Sequence, residues 1–90
     1  SVSITTERTR ELVSQFGKNE NDSGAAPVQI AILTERIRNL TTHLQQETKD
    51  FGSRRGLLKL IGRRRRLQSY YQGVNPDAYA QLIRELDLRR

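Results

Sequence analysis

The chain has 90 residues, a net charge of +6, 34% apolar and 29% charged residues, one histidine and no cysteine. That length makes a single domain, residues 1–90, with a modest core that buries about 60–65% of the surface of the unfolded chain. The composition excludes a disulfide framework and a thiolate metal site, and no stretch is apolar enough to span a bilayer or to form a signal-peptide core.

Four helices are expected, so the fold class is all-α. The first runs from about Thr5 to Phe16, with Thr5 as cap, Glu7 in the first turn, and a short stripe of Leu12, Val13 and Phe16. Gly17 ends it, and Lys18–Gly24 is polar turn chemistry in which Asp22 or Ser23 is the expected next cap. The second helix, about Ala25 to Gln46, carries a seam of Ile30, Leu33, Ile37, Leu40 and Leu44, with Pro27 tolerated in the first turn. Glu47–Gly52 turns the chain. Ser53 is the expected cap of a third helix, about Ser53 to Gln72, closed by Gly73. Asn75 and Pro76 start the fourth, about Pro76 to Leu86, with Tyr79, Leu82, Ile83 and Leu86 on one face and Leu88, Arg89 and Arg90 as a tail. Ser1 as first residue is consistent with removal of an initiator methionine, and the product is expected to be soluble and cytosolic.

The charge is local. Arg54, Arg55, Lys59, Arg63, Arg64, Arg65 and Arg66 put +7 into the third helix, where no acidic residue occurs between Asp50 and Asp77. The remaining nine basic and ten acidic residues sum to −1. Such a helix repels itself unless an anionic partner relieves it, and its cations have no acidic neighbour three or four positions away within the helix. Polyanion binding through phosphate contacts follows. Successive positions turn by about 100°, so Arg63 to Arg66 wrap most of the circumference, and at least one must lie beside the core stripe and snorkel outward, its stem packed on Leu67 or Leu60.

The stretches NDSGAAPVQIAILTERIRNLTTHL, KDFGSRRGLLKLIGRRRRLQSYY and YAQLIRELDLRR together resemble the S-fifteen family of small-ribosomal-subunit proteins. The resemblance implies three longer helices in a bundle with a shorter N-terminal helix that can pack or swing away. It implies a structural constituent of the small subunit, cytoplasmic and ribosome-bound, monomeric when free and with no cofactor. Its RNA contacts would fall in two clusters on the central domain of small-subunit rRNA. Asp22, Ser23, Gly24, Gln29, Arg36 and Tyr70 would meet a three-way junction, and His43, Asp50 and Ser53 the minor groove of an adjacent helix. Further implied neighbours are the small-subunit proteins S-six and S-eighteen, through assembly, and large-subunit rRNA across the interface. The chain departs from the family pattern at Ser23-Gly24 (commonly Thr-Gly), at Ala25-Ala26-Pro27 (often Ser-Pro-Glu), at Phe51-Gly52 (usually two histidines) and at Asp87 (usually glycine).

Each of these residues also has a plainer reading. Asp50 serves as a turn residue or a partner for Arg54, Ser53 as a helix cap, His43 as a half-exposed helix histidine, and Gly24 as a tight-turn residue. Of Tyr70 and Tyr71, one should face the core and the other stay available for stacking on RNA. An acceptor such as Asp50 suits the donors of an A-form minor groove. The alternative class is a basic helical DNA-binding regulator, disfavoured by arginines that wrap around the helix and by the lack of a helix-turn-helix geometry. A membrane-surface module would need the apolar face that the bundle uses. Catalysis and metal binding lack a nucleophile–base pair and a ligand cluster.

Overall fold

The computed structural model describes residues 4–19 and 21–88. Among them are four helices, α1 (Thr6–Phe16), α2 (Ala26–Gln46), α3 (Phe51–Val74) and α4 (Pro76–Leu86), and no strand. The all-α expectation holds. The lengths are 11, 21, 24 and 11 residues, so α4 is as short as α1. The expected tail residues Arg89 and Arg90, and Ser1, lie outside the described residues.

Local chemistry sets the boundaries. Thr5 Oγ1 accepts from the Arg8 amide at 3.1 Å and caps α1 as expected. Gly17 closes α1 with its N–H on Val13 O at 2.8 Å. A Cβ there would sit 2.6 Å from that oxygen, so only glycine fits without movement. The start of α2 corrects the sequence reading: Ala25 is the N-cap, with no side-chain hydrogen bond. Asp22 instead turns back, its Oδ2 accepting from the Lys18 amide at 2.9 Å. Pro27 makes this tolerable, since it removes one of the amides a cap would otherwise serve.

The ends of α3 also differ from expectation. The helix begins at Phe51, and Asp50 rather than Ser53 is its N-cap, Oδ1 accepting from the Ser53 amide at 3.1 Å. It runs through Gly73 to Val74, because Asn75 does both jobs at the next junction. The Asn75 amide closes α3 on Tyr71 O at 2.8 Å, and its side-chain oxygen accepts from the Ala78 amide at 3.2 Å to open α4. At the end of α4, Asp87 takes the left-handed conformation (φ 56°, ψ 47°), and the Leu88 amide reaches back to Ile83 O at 3.0 Å. This is the arrangement glycine usually serves.

The core is built on α2. Val28, Ile30, Ala31, Leu33, Ile37 and Leu40 are buried, and the last seam residue, Leu44, is half-buried. Leu12 of α1 and Leu82 and Leu86 of α4 join Ile30 and Ala31 in one cluster, with Phe16, Leu67 and Tyr71 packed against it. Full burial of each leucine or isoleucine in this cluster stabilises by about 1.5–3 kcal/mol. No residue of α3 is fully buried. This basic helix lies antiparallel over α2, with Ser53 and Asp50 near His43 at one end and Arg64 on Thr34 further along. Most of its circumference faces solvent.

Candidate nucleic-acid interface

Two groups of residues assemble along α2 and α3. At the α2–α3 turn, Asp50 Oδ2 accepts from Ser53 Oγ at 2.6 Å and lies 2.9 Å from His43 Nε2, while Oδ1 holds the Ser53 amide. The three residues named from the resemblance as minor-groove contacts are thus one hydrogen-bonded unit, each half-buried. The hydrogen bonds from Ser53 and then His43 hold the Asp50 carboxyl well below the usual range, at about 2. It is an anion at neutral pH with its orientation fixed from two sides. The plainer reading of Asp50 as a partner for Arg54 does not hold: the Arg54 guanidinium bonds Thr48 O at 2.8 Å and lies over the Phe51 ring.

The second group lies at the other end of α2. Gly24, Gln29, Arg63, Arg66 and Leu67 line an open cleft of about 450 Å³. Gln29 Nε2 donates to Ser23 O at 2.6 Å and so ties the turn to the helix. Gly24 is exposed, has no positive φ, and a Cβ there would meet nothing within 4 Å. Gly24 lies in the turn before α2, but neither its backbone conformation nor an internal contact demands glycine there. Tyr70 is 63% exposed, whereas Tyr71 packs on the core and meets Tyr79 edge-on at 6.4 Å. The expected division of the tyrosine pair is therefore Tyr71 in and Tyr70 out.

The two groups share a stripe. Gln29, Arg36 and His43 are spaced by seven, which returns each to nearly the same side of α2, and Gln29 and His43 are about 21 Å apart along it. On α3, Lys59, Arg63, Arg66 and Tyr70 fall within about 60° of one another by the same periodicity. The resulting surface has a carboxylate with oriented acceptors at one end and a cationic cleft at the other.

The remaining arginines separate. Arg54, Arg55 and Arg65 are exposed, and no ion pair joins an α3 cation to a carboxylate among the described residues. Arg64 is the arginine beside the core. It does not reach outward: Nη1 donates to Thr34 Oγ1 at 3.3 Å, with Thr34 1% exposed, and its Nε is buried without a partner among the described residues. Desolvation, and then the Arg38 and Arg65 cations, push its pKa down.

The sequence reading did not find the cleft, because it joins residues more than thirty positions apart. Nor did it find Asp50 as a cap, although Asp is among the preferred N-cap residues. Among the described residues no cluster of His, Asp and Glu could hold a metal, and no helix is long and apolar enough to cross a membrane.

The family model for Ribosomal protein S15 matches residues 9–89. The small ribosomal subunit protein uS15 of Borrelia turicatae is 52% identical over 87 residues, covering 97% of this chain and 99% of the relative. Its counterpart in Dictyoglomus thermophilum is 51% identical over 89 residues, covering 99% of this chain and all of the relative. That of Thermotoga maritima is 47% identical over 89 residues, with 99% of each chain covered.

Proposed function

Because the chain belongs to the ribosomal protein S15 family, we propose that it binds the central domain of small-subunit rRNA through the two groups along α2 and α3. Membership makes it a structural component of the small ribosomal subunit, part of the cytoplasmic ribosome, and not an enzyme. In the proposed binding mode, the cleft of Gly24, Gln29, Arg63 and Arg66, with Asp22, Ser23, Arg36 and Tyr70 around it, receives a three-way junction. The His43–Asp50–Ser53 unit meets the minor groove of an adjacent helix. Arg54, Arg55, Lys59 and Arg65 supply phosphate contacts. Fixing the junction then favours the joining of the small-subunit proteins S-six and S-eighteen, and the protein lies near large-subunit rRNA.

The observation that carries this reading is the Asp50 unit. A carboxylate kept ionised inside the most cationic region of the chain works against phosphate attraction. It makes sense there if it accepts from a donor, and an A-form minor groove offers 2′-hydroxyls and the guanine amino group. Chemical footprinting of small-subunit rRNA, with and without the protein, tests the proposal. Protection at a junction and at a minor-groove patch one arm away is expected. Protection spread evenly over duplex regions would leave only non-specific polyanion binding.

A further inference from the structure

Phe51 opens α3 and is 62% exposed. Seven residues on, Leu58 is 65% exposed, and that spacing puts the two on one side of the helix, away from the core. Single exposed apolar residues need no explanation, but Phe51 is not a loose one. The Arg54 guanidinium lies over its ring, 5.6 Å from the centroid. Arg54 is itself held in place by Thr48 O at 2.8 Å. The ring is therefore one layer of a cation–π stack already set, with most of its surface open to solvent.

The surroundings say what suits that surface. Arg54, Arg55 and Lys59 lie within two turns, and the Asp50 unit is the adjacent residue in the chain. A partner must offer a flat π-face and negative charge together, which describes a nucleotide. A second copy of this chain would bring two +7 helices together and is opposed by that charge. We propose that Phe51, backed by Arg54, is a stacking platform for an unpaired RNA base next to the minor groove read by Asp50. The inference rests on the RNA-binding reading above and adds a single-stranded contact to it. Stacking of this kind is sequence-tolerant, since every base has a π-face.

The test uses the full chain and a set of three-way-junction RNAs from small-subunit rRNA, each with 2-aminopurine at one unpaired position, beside a version in which all those positions are paired. Wild-type protein should quench the fluorophore at one unpaired position. F51L, which keeps apolar bulk but has no π-face, should lose the quenching and bind the unpaired RNA about five- to hundredfold more weakly, with unchanged affinity for the paired RNA. F51Y and F51W should behave as wild type. If F51L and F51A both bind the unpaired RNA like wild type, the platform is overturned while the RNA-binding reading stands. A concentration-dependent dimer of the free protein that F51A abolishes would also overturn it, by giving the ring to a second copy. If wild-type protein binds neither RNA, both readings fall together.

Discussion

Asp50 Oδ2 sits 2.9 Å from His43 Nε2 and so closes the turn that joins the two longest helices. The same carboxylate caps α3 through the Ser53 amide and hydroxyl. One side chain thus fixes the start of the cationic helix, the rotamer of a histidine on the neighbouring helix, and an anionic centre among arginines. A residue with both a folding and a recognition role needs variants that separate the two.

Asp50→Asn and Asp50→Ala make that separation. Asn retains an oxygen for the Ser53 amide, and Ala removes the cap altogether. Both remove a negative charge, so simple phosphate attraction predicts tighter RNA binding throughout. The minor-groove reading predicts the opposite for junction RNA: weakening on the order of tenfold for each variant, since a donor on the RNA loses its charged acceptor. Binding to a plain duplex should be unchanged or tighter. Filter binding or calorimetry with both RNAs reads the sign. Tighter junction binding by Asp50→Asn would reduce Asp50 to a helix cap.

Acid should act on the same residue. Its folded-state pKa is depressed from 3.8 to about 2, so its contribution to stability is fully present above the ordinary carboxylate range and is lost as pH falls through about 2. The carboxyl carbon of Asp50 should titrate by NMR with a midpoint near that value, below the exposed carboxylates. The start of α3 should fray between pH 3.8 and about 2 in the wild type and show no such step in Asp50→Asn. A midpoint close to 4 would mean that the Ser53 and His43 hydrogen bonds do not persist in solution.

The two glycines flanking the α1–α2 turn should behave differently. Gly17→Ala forces a methyl to within 2.6 Å of Val13 O, a backbone atom that cannot yield cheaply, and should destabilise by about 1–3 kcal/mol. Gly24→Ala meets nothing and should leave Tm within a degree or two, while weakening junction RNA if the backbone there approaches phosphate closely. Equal melting shifts in the two variants would contradict this assignment.

Most of the fold was legible because helices announce themselves locally. The seam from Ile30 to Leu40, Thr5 as a cap, and the Asn75-Pro76 start of α4 all appear in the structure as the periodicity and cap chemistry required. The misread boundaries were at Asp22, Ser53 and Gly73, where two neighbouring residues could each serve and tertiary geometry chose. The candidate residues came from the family resemblance, and their assembly was not legible in the sequence. Gln29 comes to line one cleft with Arg63 and Arg66 only after α2 and α3 pair. The inward turn of Arg64 depends on Thr34, thirty positions earlier. No local pattern encodes either contact.

Arg64 should therefore differ from its neighbours. Neutralising about five to eight phosphates gives a log–log salt slope of about −4 to −7 for junction RNA. Arg63→Ala and Arg66→Ala, on the cleft, should each reduce that slope by about one with little change in Tm. Arg64→Ala should leave the slope nearly unchanged and act on stability, since it strips Thr34 of a donor but also removes a buried Nε that has no partner among the described residues. The net change should be under about 2 kcal/mol, of either sign. A slope loss from Arg64→Ala equal to that from Arg66→Ala would put Arg64 on phosphate.

The first helix should be the element that opens most easily. Leu12 and Val13 are buried and Phe16 is half-buried, whereas α2 contributes seven buried residues. Arg8 ties α1 to α2 through Glu35, with Nε–Oε2 at 2.9 Å and Nη2–Oε1 at 3.3 Å, and the glutamate raises its pKa. That pair is 40% and 27% exposed, so it stabilises by no more than about 1 kcal/mol. A polar-lined space of about 110 Å³ remains beside it, bordered by Leu12, Phe16, Thr34 and Glu85 among others, so the docking surface is incompletely filled. Two buried side chains at about 1.5–3 kcal/mol each must offset the ordering of 11 residues. Native-state amide exchange should show residues 6–16 opening at a free energy well below that of residues 30–44. Leu12→Ala should lower the first value and leave the second nearly unchanged. If both segments exchange only by global unfolding, α1 is an integral part of the core and does not swing away from it.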